Sequence, residues 1–210
     1  MTLDSLLSLS PVIPVVTIED AGRAVPLARA LLEGGVPIIE VTLRTGAALE
    51  SIERISAQVP GMTVLAGTVC TGTQVRDSLQ AGARGLVSPG ITDRLAGAVQ
   101  AYGATWLPGV ASASDIMLGL ELGLSRFKLF PASVVGGTEA LGAYAGPFPE
   151  VRFCPTGGIG RDAAARYLTL GNVTCVGGSW LAPGPLVAAE DWAQIRANAA
   201  FAATLQRQAV

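Results

Sequence analysis

The sequence predicts an α/β protein of 210 residues, a single domain folded as a (β/α)8 barrel, the TIM-barrel architecture. Three observations lead there. Short apolar, β-branched runs recur roughly every 23 residues between segments rich in Ala and Leu, as βα units around a parallel sheet should. Eight such runs can be counted, and the length lies near the low end of the roughly 200–400 residues usual for the barrel. No low-complexity tract, linker or charge run divides the chain. A doubly wound open sheet is the alternative arrangement of the same units.

Taken in order, Thr2–Leu9 reads as a leading helix, ahead of a first strand at Val12–Thr17 and a helix over Asp20–Leu32. The next strands are Ile38–Leu43, Met62–Ala66, Gly85–Ser88 and Thr105–Leu107, each followed by a helix: Ala47–Ala57, Thr73–Gln80, Thr92–Ala101 and Ala113–Leu122. Phe127–Phe130 and Val151–Cys154 continue the pattern, with helices over Thr138–Tyr144 and Asp162–Leu168. Thr174–Val176 is the eighth strand, and Asp191–Arg207 reads as a closing helix. Thr71, Thr92 and Ser112 stand where an N-cap side chain would receive the first free amides of a helix. Gly34-Gly35, Gly82, Gly103, Gly123 and Gly171 stand at helix ends, where a left-handed residue is expected.

Composition excludes several classes of function. Charged residues make up 14% of the chain, against about 25% in a typical soluble domain. Half the residues are hydrophobic, which excludes disorder. A net charge of −2 gives no basic surface for nucleic acid, where phosphate neutralisation dominates affinity. The mean hydropathy of +0.49 invites a membrane reading. However, the uncharged stretches Tyr167–Ala189 and Ile55–Val75 are broken by Gly and Pro, unlike a spanning helix. Asp4 precedes any basic residue, the first being Arg23, so the positive region of a secretory signal is missing. Cys70, Cys154 and Cys175 show no CxxC spacing and read as small buried hydrophobes of a cytoplasmic protein. Histidine is absent, which removes Ser-His-Asp and Cys-His catalysis and the HExxH zinc motif. No clustered carboxylates or cysteines suggest a metal. The low charge density suggests that part of the surface is buried in an oligomer.

Active groups of such barrels sit at the C-terminal strand ends. There, the most informative residue is Lys128, the only lysine beside 13 arginines. Strand alternation puts it on one face with Phe130, and Phe127 and Leu129 on the other. A lysine in an apolar wall loses hydration, which disfavours its charged form, and a neutral amine can attack a carbonyl to form a Schiff base. The plainer reading is a snorkelling or salt-bridged lysine. Glu40, in an apolar strand, is either a proton-transfer group or the partner of Arg44 or Lys128. Arg44 can grip a substrate carboxylate with its planar fork or stand solvated in a loop. Gly157-Gly158 and Gly177-Gly178-Ser179 close the last two strands. Barrel phosphate sites are frequently built from these two loops, because glycine lets backbone amides approach an anion.

Taken together, Glu40-Val-Thr-Leu-Arg44-Thr, Ala66-Gly-Thr68-Val, Ser88-Pro89-Gly90, Phe127-Lys128-Leu-Phe130-Pro131-Ala, Arg152-Phe-Cys-Pro-Thr156-Gly-Gly158-Ile and Gly177-Gly-Ser179-Trp180-Leu resemble the 2-keto-3-deoxy-6-phosphogluconate (KDPG) aldolases of the KDPG/KHG class I family. The resemblance runs from Val12 to Pro183 in order. It implies a homotrimeric barrel enzyme with no metal and no cofactor, acting on a small phosphorylated 2-keto-3-deoxy sugar acid and pyruvate. It makes Lys128 the Schiff-base lysine and Glu40 the general acid/base. Arg44 and Thr68 would hold the pyruvate carboxylate, and Thr156 would contact the bound substrate. Gly157, Gly158, Gly178 and Ser179 would form the phosphate site, with Pro89 and Phe130 lining the pocket. The loop Ala132-Ser-Val-Val135 departs from the more polar residues of the family. The alternatives are a sister aldolase for 2-keto-4-hydroxyglutarate or the galactonate epimer, a phosphate-binding barrel isomerase that forms no imine, and a catalytically silent binding protein.

Overall fold

The computed structural model describes residues 2–206. Parallel strands alternate with helices and curl into a barrel-like sheet. Helix α1 (Leu3–Leu7) precedes β1 (Val12–Val16), and a 3-10 turn at Ala21–Arg23 leads into α2 (Ala24–Glu33). There follow β2 (Ile38–Thr42), α3 (Ala48–Gln58), β3 (Thr63–Gly67), α4 (Gly72–Gln80), β4 (Gly85–Val87) and α5 (Asp93–Ala101). The second half comprises β5 (Trp106–Leu107), β6 (Gly109–Val110), α6 (Ala113–Glu121), β7 (Arg126–Leu129), α7 (Gly137–Tyr144), β8 (Arg152–Phe153) and α8 (Arg161–Leu168). Last come β9 (Val176–Gly178), α9 (Gly184–Ala188) and α10 (Trp192–Ala203).

Six strands form one sheet in the order β5-β4-β3-β2-β1-β9, and three form another in the order β6-β7-β8. Every pairing between them is parallel. An isolated parallel bridge joins Thr156, beyond β8, to Gly177 of β9. β2 is buried along its whole length, as expected where helices cover one face of a parallel sheet and the barrel interior fills the other. Helix α2 turns Leu27 and Leu31 inward, both fully buried. α10 packs across α2 through Gly34, where a Cβ would lie 2.5 Å from Ala199 Cβ. Thr71, Thr92 and Ser112 cap α4, α5 and α6 as the sequence predicts, Thr71 and Ser112 within capping boxes.

The structure departs from the sequence reading in several places. Thr105–Leu107 is only the first half of its stave: the chain resumes pairing as β6 after Pro108, which has no N–H to offer the ladder. The helix expected over Asp20–Leu32 opens instead as the 3-10 turn, with Asp20 accepting from Gly22 N. The last strand begins at Val176 rather than Thr174. α9, a Gly-Pro-initiated helix, has no counterpart in the expected elements. The closing helix stops at Ala203, and Arg207 lies outside the described residues. Gly35, Gly82, Gly103 and Gly123 are left-handed, whereas Gly34 and Gly171 are not. Cys154 and Cys175 are buried, but Cys70 is exposed. Among the described residues, no helix is long and apolar enough to cross a membrane.

Candidate active site

The site is built on C-terminal strand ends. Lys128 in β7 and Glu40 in β2 are 5% and 4% exposed. Lys128 Nζ donates to both carboxylate oxygens of Glu40, at 2.9 Å and 3.2 Å. The partner of Glu40 is thus Lys128 and not Arg44. Nζ also lies 5.4 Å from the centroid of the Phe130 ring, two residues along the same face, while Phe127 and Leu129 are fully buried on the other. Two buried opposite charges are tolerable only because they face each other with hydrogen bonds formed. Gly67, opposite Thr42 across the β2–β3 ladder, makes room for the carboxylate: a Cβ there would stand 2.3 Å from Glu40 Oε1.

Phe130, the ring beside Nζ, also lines a cavity of about 440 Å³, although neither Lys128 nor Glu40 is among its lining residues. Arg44, Phe130, Thr156, Gly157, Gly158 and Ser179 line it, six of the residues singled out in the sequence. Arg44 Nε donates to Thr68 Oγ1 at 3.1 Å, so the β2 and β3 loops present one cationic corner. Thr68 has φ 61°, a left-handed conformation that a β-branched residue adopts at a cost of about 1–3 kcal/mol. On the opposite side, the Gly157–Gly160 loop leads into α8 and Ser179 follows β9. The free amides at the α8 N-terminus and its dipole favour an anion there.

Pro89 and Gly178 are not among the residues lining the cavity. Pro89 is exposed on the β4–α5 loop and does not line the cavity. Its carbonyl packs on Gly109, where a Cβ would lie 2.3 Å from it. Gly178 faces away from the cavity: its missing side chain makes room for the Trp180 indole, whose Nε1 lies 2.7 Å from the position a Cβ would take. Gly177 is the inward member of the pair, and a Cβ there would collide with Thr156 Oγ1. Strand alternation separates the two glycines, and counting from Gly177–Trp180 alone does not say which one faces inward.

The cavity also recruits Val15, Thr17, Ile159 and Trp180, none of them given a site role from the sequence. Trp180 Nε1 is shielded from solvent and has no hydrogen-bond partner among the described residues. Val15 and Thr17 were detectable in principle, since they are alternate residues at the C-terminal end of the first strand. Among the described residues, no three His, Cys, Asp or Glu side chains group as a metal site.

The sequence profile of the KDPG and KHG aldolases matches residues 3–198. The chain belongs to this family. It is 48% identical over 208 residues to the 2-dehydro-3-deoxy-phosphogluconate aldolase of Zymomonas mobilis, covering 99% of this chain and 98% of that protein. A crystal structure of the Zymomonas mobilis aldolase with 3-phosphoglycerate superposes with a TM-score of 0.94 at 48% identity, over 99% of this chain and 97% of that one. The KDPG aldolase of Legionella pneumophila, with pyruvate captured as a covalent carbinolamine intermediate, superposes with a TM-score of 0.95 at 42% identity, over 97% and 99% of the two chains.

Proposed function

We propose that this member of the family is a class I aldolase that reversibly cleaves 2-keto-3-deoxy-6-phosphogluconate to pyruvate and D-glyceraldehyde 3-phosphate. The observation that carries the reading is the buried Lys128–Glu40 pair, joined through Phe130 to a cavity with a cationic corner at one end and a glycine-lined helix start at the other. An amine whose own neighbour is a carboxylate can lose a proton locally and attack the C2 ketone. Glu40 takes that proton and returns it to the departing hydroxyl, so that water leaves as the carbinolamine collapses to the iminium and Glu40 is again a carboxylate. Glu40, directly or through a water, then removes the C4 hydroxyl proton. The C3–C4 bond breaks and its electron pair enters the iminium to give the enamine. Glyceraldehyde 3-phosphate departs, C3 is protonated, and hydrolysis frees pyruvate and Lys128.

Arg44 and Thr68 hold the carboxylate of the keto acid, and Thr156 and Phe130 pack on its body. The backbone of Gly157 and Gly158, with Ser179, receives the phosphate, and Gly178 acts by letting Trp180 close the loop. Pro89 shapes the rim through its loop rather than the cavity wall. Neither metal nor cofactor takes part. The same reading makes the molecule one closed barrel domain of eight staves, β5 and β6 being one stave interrupted at Pro108 and the Thr156–Gly177 bridge sealing β8 to β9. It also makes it a cytoplasmic homotrimer. Supplying purified protein with KDPG and measuring pyruvate release tests the reaction: stoichiometric pyruvate and glyceraldehyde 3-phosphate are expected, and no release at any protein concentration contradicts it.

A further inference from the structure

Thr17 lies just beyond β1, between the strands that carry the two ends of the cavity. In the sheet order, β1 separates β2, which bears Glu40 and leads to Arg44, from β9, which leads to Ser179. Val15 is register-paired with Glu40. Thr17 is two residues further toward the open rim, a climb of about 6–7 Å at the usual rise of a strand. Val15 and Thr17 both line the cavity, and both are half-buried where their neighbours Val16 and Ile18 are closed off.

The hydroxyl of Thr17 is held by a buried neighbour. Thr42, completely buried, donates its one proton to Val16 O at 3.2 Å. In the 2.9 Å contact between Thr17 Oγ1 and Thr42 Oγ1 either hydroxyl can donate, and while Thr42 spends its single proton on Val16 O the contact uses the proton of Thr17. In that arrangement Thr17 turns an acceptor to the cavity. A ligand group that meets it must be a donor, and the substrate proposed above carries a donor at that height. Its C4 hydroxyl must lie near Glu40, its phosphate beside the Gly157–Gly160 and Ser179 loops, and the C5 hydroxyl lies between them.

We propose that Thr17 is a specificity-determining residue that accepts a hydrogen bond from the C5 hydroxyl of the substrate, and so selects aldehyde acceptors with a hydroxyl next to the carbonyl. The inference rests on the aldolase reading. The experiment runs the reaction in the condensation direction, from pyruvate with either D-glyceraldehyde 3-phosphate or 3-phosphooxypropanal, which lacks that hydroxyl. Thr17→Val keeps the shape and leaves Thr42 bonded to Val16 O. It is expected to lower kcat/KM for glyceraldehyde 3-phosphate about tenfold, the scale of one lost hydrogen bond, and to leave the deoxy acceptor unchanged. Thr17→Ser should restore the preference. Borohydride trapping of pyruvate should be equal in all three proteins, which reports an intact fold and imine chemistry. Equal losses on both acceptors, no loss on either, or a serine variant that behaves like valine overturns the role of Thr17. A wild-type protein that neither traps pyruvate nor forms product overturns the aldolase reading itself, and the inference with it.

Discussion

Lys128 and Glu40 neutralise each other in the resting protein, and that economy sets what each can do. Removing one partner of a buried pair leaves an uncompensated charge and is strongly destabilising, about 3–5 kcal/mol. Glu40→Gln is gentler, because the amide oxygen still accepts from Nζ while the base is lost. Turnover should fall about 10²–10⁴-fold, the usual contribution of a general acid–base group. Pyruvate trapping should persist at a reduced rate. Steady-state assays beside trapping kinetics check this, and nearly normal turnover would make Glu40 a structural partner only. From the sequence, a lone lysine in an apolar strand pointed to the nucleophile. The sequence left the partner of Glu40 open between Arg44 and Lys128, because strand order, not chain order, decides which side chains meet across a barrel.

At the scale of elements, the strand ends shape the site as much as the polar side chains do. Gly67 ends β3 where an added Cβ would collide with the Glu40 carboxylate. Gly67→Ala must push that carboxylate off Lys128, at a cost of about 1–3 kcal/mol in overpacking. Turnover should drop at least tenfold, with a lowered melting temperature, and both are read from one preparation by calorimetry and assay. An alanine variant with wild-type activity would mean that the carboxylate has slack. The helix caps at Thr71, Thr92 and Ser112 were legible because capping is local chemistry. The division of one stave into β5 and β6 was not, since Pro108 sits in a run too short to show periodicity. Nor was α9, whose Gly-Pro start reads as a loop until the packing of Val187 supplies a reason to be helical. Thr17 is not legible either, for a related cause: its hydroxyl is oriented by Thr42, 25 residues away.

For the whole molecule, the repeat of strand and helix predicted the barrel-like arrangement because each βα unit must bury its apolar faces against the next. It did not predict Cys70 at the surface, because composition alone cannot place a loop residue. An imine mechanism makes the activity of the whole enzyme independent of divalent ions. Excess chelator should leave KDPG cleavage unchanged, and a loss restored by a divalent cation would point to a metal-dependent aldolase. The central claim is that Lys128 forms the covalent bond. Because no other lysine exists, incubation with pyruvate and borohydride followed by intact mass and peptide mapping gives a direct answer. The account predicts one reduced pyruvyl group on the peptide containing Lys128, and none on Lys128→Arg, whose guanidinium retains the charge but cannot form the imine. Labelling confined to the N-terminal amine, or an arginine variant that still cleaves KDPG, would contradict it.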